Sequence, residues 1–146
     1  MDLSYIFTSF DGRINRAKYW IGSIVLAIIS IVLGIVVGAA LGPTTLAMII
    51  IALITLALFY PVYAIAAKRF QDRDKPGTTA LYGLVPILIV NFLQLFGLTG
   101  TPEQPNTLGW IATVVMLGVG IWFLVELGIL KGTTGPNRYG PDPLAR

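Results

Sequence analysis

Long apolar stretches separated by short polar segments dominate the chain. Residues 19–67 form an uninterrupted run of 49 residues without Asp, Glu, Lys or Arg, whereas one bilayer crossing needs roughly 20 apolar residues. The turn-forming residues Gly42-Pro43-Thr44-Thr45 lie in the middle of this run. The pattern therefore predicts two spans joined by a tight hairpin, at about 20–41 and 46–67.

Two further apolar stretches predict spans at about 79–98 and 108–130, joined by a polar turn. Residues 131–146 are a Gly/Pro-rich tail that cannot be helical throughout. The first span has about 22 residues and exceeds a signal-peptide core of roughly 7–15, so we interpret it as a retained span. The predicted fold is an all-α membrane protein, one domain over 1–146, with four transmembrane helices arranged as two hairpins.

Basic residues predict the orientation. The segment 68–75 has six charged residues among eight, and four spans place it on the same side as both termini. All ten Lys and Arg residues fall on that side: Arg13, Arg16, Lys18, Lys68, Arg69, Arg73, Lys75, Lys131, Arg138 and Arg146. The positive-inside rule then predicts cytoplasmic termini and a cytoplasmic polar cap.

Composition narrows the chemistry. Only 12% of the residues are charged, against roughly 25% in soluble domains, and the mean hydropathy is +0.80. The chain has no His and no Cys, so thiol nucleophiles, thiolate metal sites and imidazole acid-base catalysis are excluded. We expect no enzyme activity, no cofactor and no metal site. We also expect no nucleic-acid partner, because such a partner needs a basic face on a soluble fold.

The predicted cap is the main candidate for a site, because the three segments on that side must lie close together at one end of a narrow bundle. Its candidate residues are Arg13, Arg16, Arg69, Asp72, Arg73, Asn137, Arg138 and Asp142. They are suited to binding an anionic group, such as a lipid headgroup or phosphate. The structural alternative, which we prefer, is that Asp–Arg pairs join the termini and the loop to the bundle.

Three polar side chains are predicted inside spans. Glu126 lies near the inner interface, and an ion pair with Arg69 or Lys68 is preferred over a functional role. Asn91 and Gln94 lie three residues apart on one helix face, where they favour interhelical hydrogen bonds over a polar transport path.

A stripe of small residues, Gly34, Gly38 and Gly42, repeats every four residues on the first span. Such a stripe lets another helix backbone approach closely. Packing against the second span of the same chain is the simpler interpretation, and contact with a second copy in a homo-oligomer is the alternative.

Three segments together resemble a family of small bacterial inner-membrane proteins typified by YhaH, a domain of unknown function. They are 10–20 (FDGRINRAKYW), 68–77 (KRFQDRDKPG) and 132–143 (GTTGPNRYGPDP). The resemblance implies a bacterial inner-membrane location and no established activity. The positions it implicates are Gly12, Arg13, Arg16, Tyr19, Trp20, Arg69, Asp72, Gly77, Asn137, Arg138, Gly140, Asp142 and Pro143. Relatives often have His where this chain has Gln71, which weakens any catalytic role further.

Three functional hypotheses follow. The first is a non-enzymatic membrane protein that binds a partner protein or anionic lipid through the cap, in addition to contacting membrane lipids. The second is a small oligomeric transporter or channel component. The third and weakest is an enzyme acting on a lipid headgroup through Asp72 or Asp74.

Overall fold

The computed structural model describes residues Leu3–Ala145. Its elements are α1 (Leu3–Thr8), α2 (Arg16–Leu41), α3 (Thr45–Asp72), a 3₁₀ turn (Gly77–Ala80) leading into α4 (Leu81–Leu95), and α5 (Thr107–Phe123), which continues as a π-helix (Leu124–Ile129). Within these residues, four helical segments are long and apolar enough to cross a membrane: Arg16–Leu41, Thr45–Asp72, Gly77–Leu95 and Thr107–Ile129. The predicted all-helical membrane fold with four such helices is confirmed. Arg146 of the basic set lies outside the described residues.

Polar side chains cap the helix N-termini. The Oδ1 atom of Asn15 accepts a hydrogen bond from the Lys18 amide at the start of α2, and Asn106 does the same for Gly109 at the start of α5. At α3, the Thr44 hydroxyl accepts from the Ala47 amide. Each cap satisfies one of the backbone donors that the first helical turn leaves unpaired.

Two predicted span ends need correction. The segment 68–72 is helical, because α3 continues five residues beyond the predicted end at Ala67. The charged side chains on this extension find partners within the protein, as described below. Conversely, α4 ends at Leu95 and not at Leu98. Gly97 adopts a φ of +69°, and the Leu98 amide donates to the Leu93 carbonyl, which is the hydrogen-bond pattern of a glycine-terminated helix.

The buried core lies at one end of the molecule, where α3 ends. Nine consecutive residues of α3, from Ala64 to Asp72, are buried, so this part of the helix is covered on all sides. Phe70 packs in one cluster with Leu84 and Leu127, and Ile65 packs in another with Ile6 and Ile14. The rest of the helical surface exposes many large apolar side chains, as expected where lipid is the solvent.

The glycine stripe does not pack inside the protein. A Cβ atom added at Gly34, Gly38 or Gly42 would meet no atom within 4 Å, so the preferred interpretation, packing against the second span, was wrong. The buried residues of α2 are Gly22, Leu26 and Val37. At 3.6 residues per turn, the centre of the face that these residues share lies about a third of a turn from the centre of the stripe, which is why the stripe faces outward.

Candidate functional site

Asp72, the last residue of α3, is the centre of the polar cap. We use that name for the joined N-terminal segment 9–16, the end of α3 and the tail 131–145. The Asp72 carboxylate accepts from Arg13 Nε at 3.0 Å and from Arg69 Nη1. The side chains of Asp72, Arg13 and Arg69 are 4%, 1% and 0% exposed. Buried charges need this kind of pairing, because an unpaired charge out of water is very costly.

Arg13 connects α3 to the tail. Besides Asp72, its guanidinium donates to the carbonyl oxygens of Thr133 at 2.6 Å, Gly135 at 2.7 Å and Gly140 at 3.3 Å. All three guanidinium nitrogens are thus used within the protein. The tail therefore folds back under the helices because the buried Arg13 guanidinium forms hydrogen bonds to three of its carbonyl groups.

Arg69 binds backbone carbonyls in the same way at the end of the π-helix that continues α5. Its Nε donates to the Leu127 carbonyl at 2.7 Å, and its Nη2 donates to the Leu130 carbonyl. The carbonyls of the intervening residues Gly128 and Ile129 accept from Trp20 Nε1 at 3.3 Å and Arg16 Nη1 at 3.0 Å. The last carbonyls of a helix have no partner within the helix, and here cationic and indole donors supply them.

Lys68 holds α1 against α3. Its Nζ donates to the backbone carbonyls of Tyr5, Ile6 and Ser9, with 2.8 Å to Ile6, and it lies 4.9 Å from the centre of the Tyr5 ring. The side chain is fully buried. In the sequence, Lys68 is only one of the basic residues that predict which side of the membrane is cytoplasmic. No signal in the sequence identifies its partners, because they are backbone atoms.

The ion-pair partners predicted for Glu126 were wrong. Its Oε1 accepts from Arg73 Nε at 2.8 Å and from Lys75 Nζ. Arg69 and Lys68 cannot serve, because both are committed to the carbonyls described above. Glu126 itself is on the π-helical end of α5, and its two partners lie at and beyond the end of α3.

The tail residues bind both the segment around the end of α3 and one another. Asn137 Nδ2 donates to the Gln71 carbonyl at 2.9 Å, and the Arg138 guanidinium pairs with Asp74 at 3.1 Å on the surface. The Asp142 carboxylate accepts from the backbone amides of Gly135 at 3.0 Å and Leu144 at 2.9 Å. These two bonds hold the pKa of Asp142 below its usual range.

Gly132 is a tail position that sequence reasoning missed. A Cβ atom there would lie 2.0 Å from Asp72 Oδ2. The next residue, Thr133, donates its amide to the Asp72 carbonyl at 2.9 Å. The closeness of the two backbones therefore requires a residue without a side chain, although the sequence marks Gly132 only as part of a Gly-rich tail.

A cavity of about 330 Å³ remains open in the cap, between the start of α2 and the start of the tail. Its lining includes five charged residues and is made up of Asn15, Arg16, Arg69, Asp72, Lys131, Gly132, Thr133, Thr134, Asp142 and Leu144. Asp72 pairs with Arg69 there, whereas Arg16 donates to the Ile129 carbonyl and forms no ion pair within the described residues. In the described part of the chain, Lys131 forms no ion pair through its side chain. The three cations on the cavity lining, Arg16, Arg69 and Lys131, therefore outnumber its two carboxylates by one.

The family model described as "Protein of unknown function (DUF805)" matches residues 7–141, nearly the whole chain. The chain belongs to this DUF805 family. Inner membrane protein YhaI of Escherichia coli (strain K12) is 29% identical over 140 residues, covering 94% of this chain and 87% of that protein. Uncharacterized protein YiiR of the same strain is 30% identical over 142 residues, covering 92% and 85%. Inner membrane protein YhaH is 26% identical over 139 residues, covering 94% and 88%.

These matches confirm the resemblance inferred from the three polar segments. No solved structure gives a significant match. The three segments of this DUF805 chain meet in the polar cap, where Arg13, Arg69 and Asp72 are joined directly and Asn137 binds the adjacent backbone. Gln71, the departure noted in the sequence, is buried among them, and its Oε1 is the one buried side-chain polar atom without a hydrogen-bond partner among the described residues.

The remaining candidates lie outside the cap. Asn91 and Gln94 are exposed on α4. Asn91 Nδ2 donates to the Ile87 carbonyl of its own helix at 2.8 Å, so the predicted interhelical hydrogen bond is not formed within the described residues. No group of three or more acidic side chains in residues 3–145 lies close enough together to hold a metal ion.

Proposed function

We propose that this DUF805 protein is a bacterial inner-membrane protein of two helical hairpins, with both termini and the polar cap in the cytoplasm. The distribution of charge supports the orientation. The turns at the end opposite the cap, 42–44 and 96–106, contain neither Lys nor Arg, whereas the basic residues of the described chain belong to the cap end. A positive side of this kind faces the cytoplasm.

We further propose that the cap binds the phosphate of an anionic phospholipid and that the protein acts without catalysis. The observation that carries this proposal is the cap cavity, with Arg16 and Lys131 on its lining. Most other cap cations are occupied: Lys68, Arg69 and Arg13 are buried against carbonyls and Asp72. These three cations hold the segments of the cap together, so Arg16 and Lys131 are the cations that can bind a ligand.

The position of the cavity supports a lipid source for the phosphate. Arg16 is the first residue of α2, and Lys131 follows the end of the π-helix. Trp20, one turn into α2, is 41% exposed and donates to the end of the same π-helix, and Trp is enriched at membrane interfaces. The cavity therefore lies at headgroup depth, where each basic residue contributes about 1 kcal/mol to anionic-lipid binding.

The test compares retained lipids in nanodiscs that contain phosphatidylglycerol and phosphatidylethanolamine with identical acyl chains. Native mass spectrometry measures the lipids that remain bound to the purified protein. Two basic residues at about 1 kcal/mol each predict a roughly 30-fold loss of phosphatidylglycerol in R16Q/K131Q. R138Q is the matched control, because Arg138 pairs with Asp74 on the surface and does not line the cavity. Unchanged phosphatidylglycerol retention in R16Q/K131Q would refute the proposal, as would an equal loss in R138Q.

A further inference from the structure

A row of adjoining cavities runs along α3 away from the cap, between α3 and α2 near the cap and between α3 and α4 farther away. The cavity nearest the cap measures about 290 Å³ and shares Leu58, Val62 and Leu84 with a second of about 180 Å³. The second shares Thr55 and Asn91 with a third of about 320 Å³. We call this row the membrane groove.

The chemistry of the groove changes along its length. Near the cap it is lined mainly by apolar side chains such as Leu26, Leu58 and Phe123. At the far end the lining includes Thr55 and the amides of Asn91 and Gln94. None of the residues that line these three cavities is charged. The groove thus has an apolar section followed by an uncharged, hydrogen-bonding section.

The amides at the far end have unused hydrogen-bonding capacity. Asn91 uses one N–H on the Ile87 carbonyl, and its Oδ1 accepts no hydrogen bond from the described residues. The side chain of Gln94 likewise makes no hydrogen bond within residues 3–145. An unsatisfied polar group in a bilayer costs several kcal/mol, so these amides require a polar ligand on the open side of the groove.

The dimensions indicate what kind of ligand fits. Fifteen residues along α3 lead from Ile51 at the far end to Ala66 near the cap, and at 1.5 Å per residue they span about 22 Å. This is roughly three quarters of a hydrocarbon core about 30 Å thick, so the far end of the groove lies near the membrane face opposite the cap. An extended alkyl chain fits a groove of this length.

We propose that the membrane groove binds one glycerolipid with a net-neutral headgroup. Its head and ester oxygens hydrogen-bond to Asn91 and Gln94, and one acyl chain runs along α3 towards Leu84 and Tyr19. An uncharged lining offers nothing to compensate a net charge, which is why a neutral head is favoured over an anionic one. This site lies at the opposite end from the cap cavity and takes a different class of lipid, so it is independent of the proposed function.

Photocrosslinking of the full chain in nanodiscs tests the groove. The probes are phosphatidylethanolamine and phosphatidylglycerol that carry the same diazirine-labelled acyl chain. We expect the phosphatidylethanolamine probe to label α3 and α4 preferentially. In N91L/Q94M, the loss of two hydrogen bonds at about 1 kcal/mol each predicts roughly 30-fold less labelling. In A27F, which fills the groove from an exposed position of α2, we expect long-chain probes to lose labelling and short-chain probes to retain it.

Equal labelling by both probes in wild type and variants would overturn the proposal, because the groove would then only be solvated by bulk bilayer. Crosslinked dimers in place of lipid adducts would overturn it in favour of a second copy. If N91L/Q94M does not fold, A27F and Q94M alone still decide the question. R16Q/K131Q should keep full phosphatidylethanolamine labelling, so failure at the cap and failure at the groove give different results.

Discussion

Replacing Asp72 by Asn should destabilise the protein more than any other single charge removal in the cap. Asn preserves the shape of the side chain but removes the charge shared by Arg13 and Arg69, whose side chains are 1% and 0% exposed. Removing one partner of a buried ion pair costs about 3–5 kcal/mol, because a buried charge is left uncompensated. In a chain of this length, we expect a fall in the melting temperature of about 6–20 °C.

Tryptophan fluorescence during heating in detergent measures this shift. Trp20 donates to the Gly128 carbonyl at the cap, and Trp122 packs against Phe70, so both report on the affected end. The matched control is Asp74→Asn. The Asp74 and Arg138 side chains are 47% and 58% exposed, and exposed pairs contribute about 0–1 kcal/mol. If D72N and D74N lower the melting temperature equally, the central role assigned to Asp72 is wrong.

Three further predictions concern separate parts of the cap. G132A should lower stability by at least about 1–3 kcal/mol through overpacking, since its Cβ would meet the Asp72 carboxylate; G34A, at an open helical position, should raise the melting temperature slightly. K68M should release α1, seen as faster amide exchange in its residues, whereas unchanged exchange would contradict the role of the ammonium group. The pKa of Asp142 is lowered by two backbone donors, so the tail structure they hold should be fully present above about pH 4 and be lost as the pH falls through the lowered pKa. Amide chemical shifts of the tail should follow this titration, and D142N should abolish it.

Regular features of the chain were predictable because they depend on local physical chemistry. The four apolar helices follow from the length of apolar runs against bilayer thickness, and the turn at Gly42-Pro43 follows from backbone preferences. The three polar segments were identified from residue type and order alone. Two span ends were misplaced because helix α3 continues through charged residues and a left-handed Gly97 stops α4 early.

The side-chain partners could not be predicted in the same way. Glu126 was assigned to Arg69 or Lys68 by proximity along adjacent helix ends, but those cations bind backbone carbonyls that carry no mark in the sequence. The outward direction of Gly34 and Gly38 also depends on which face of α2 meets α3. A small-residue stripe shows that a helix can approach closely, without showing whether one does.

The sequence by itself determined that most of the protein surface faces lipid, that there are four apolar helices, and which residues could form a polar cap. These properties follow from transfer free energies and charge, which each residue brings regardless of its neighbours. Only the tertiary structure decided which cations hold the cap together, which cations line its cavity, and where a groove opens along α3. Those outcomes depend on distances of a few ångströms between groups far apart in the chain.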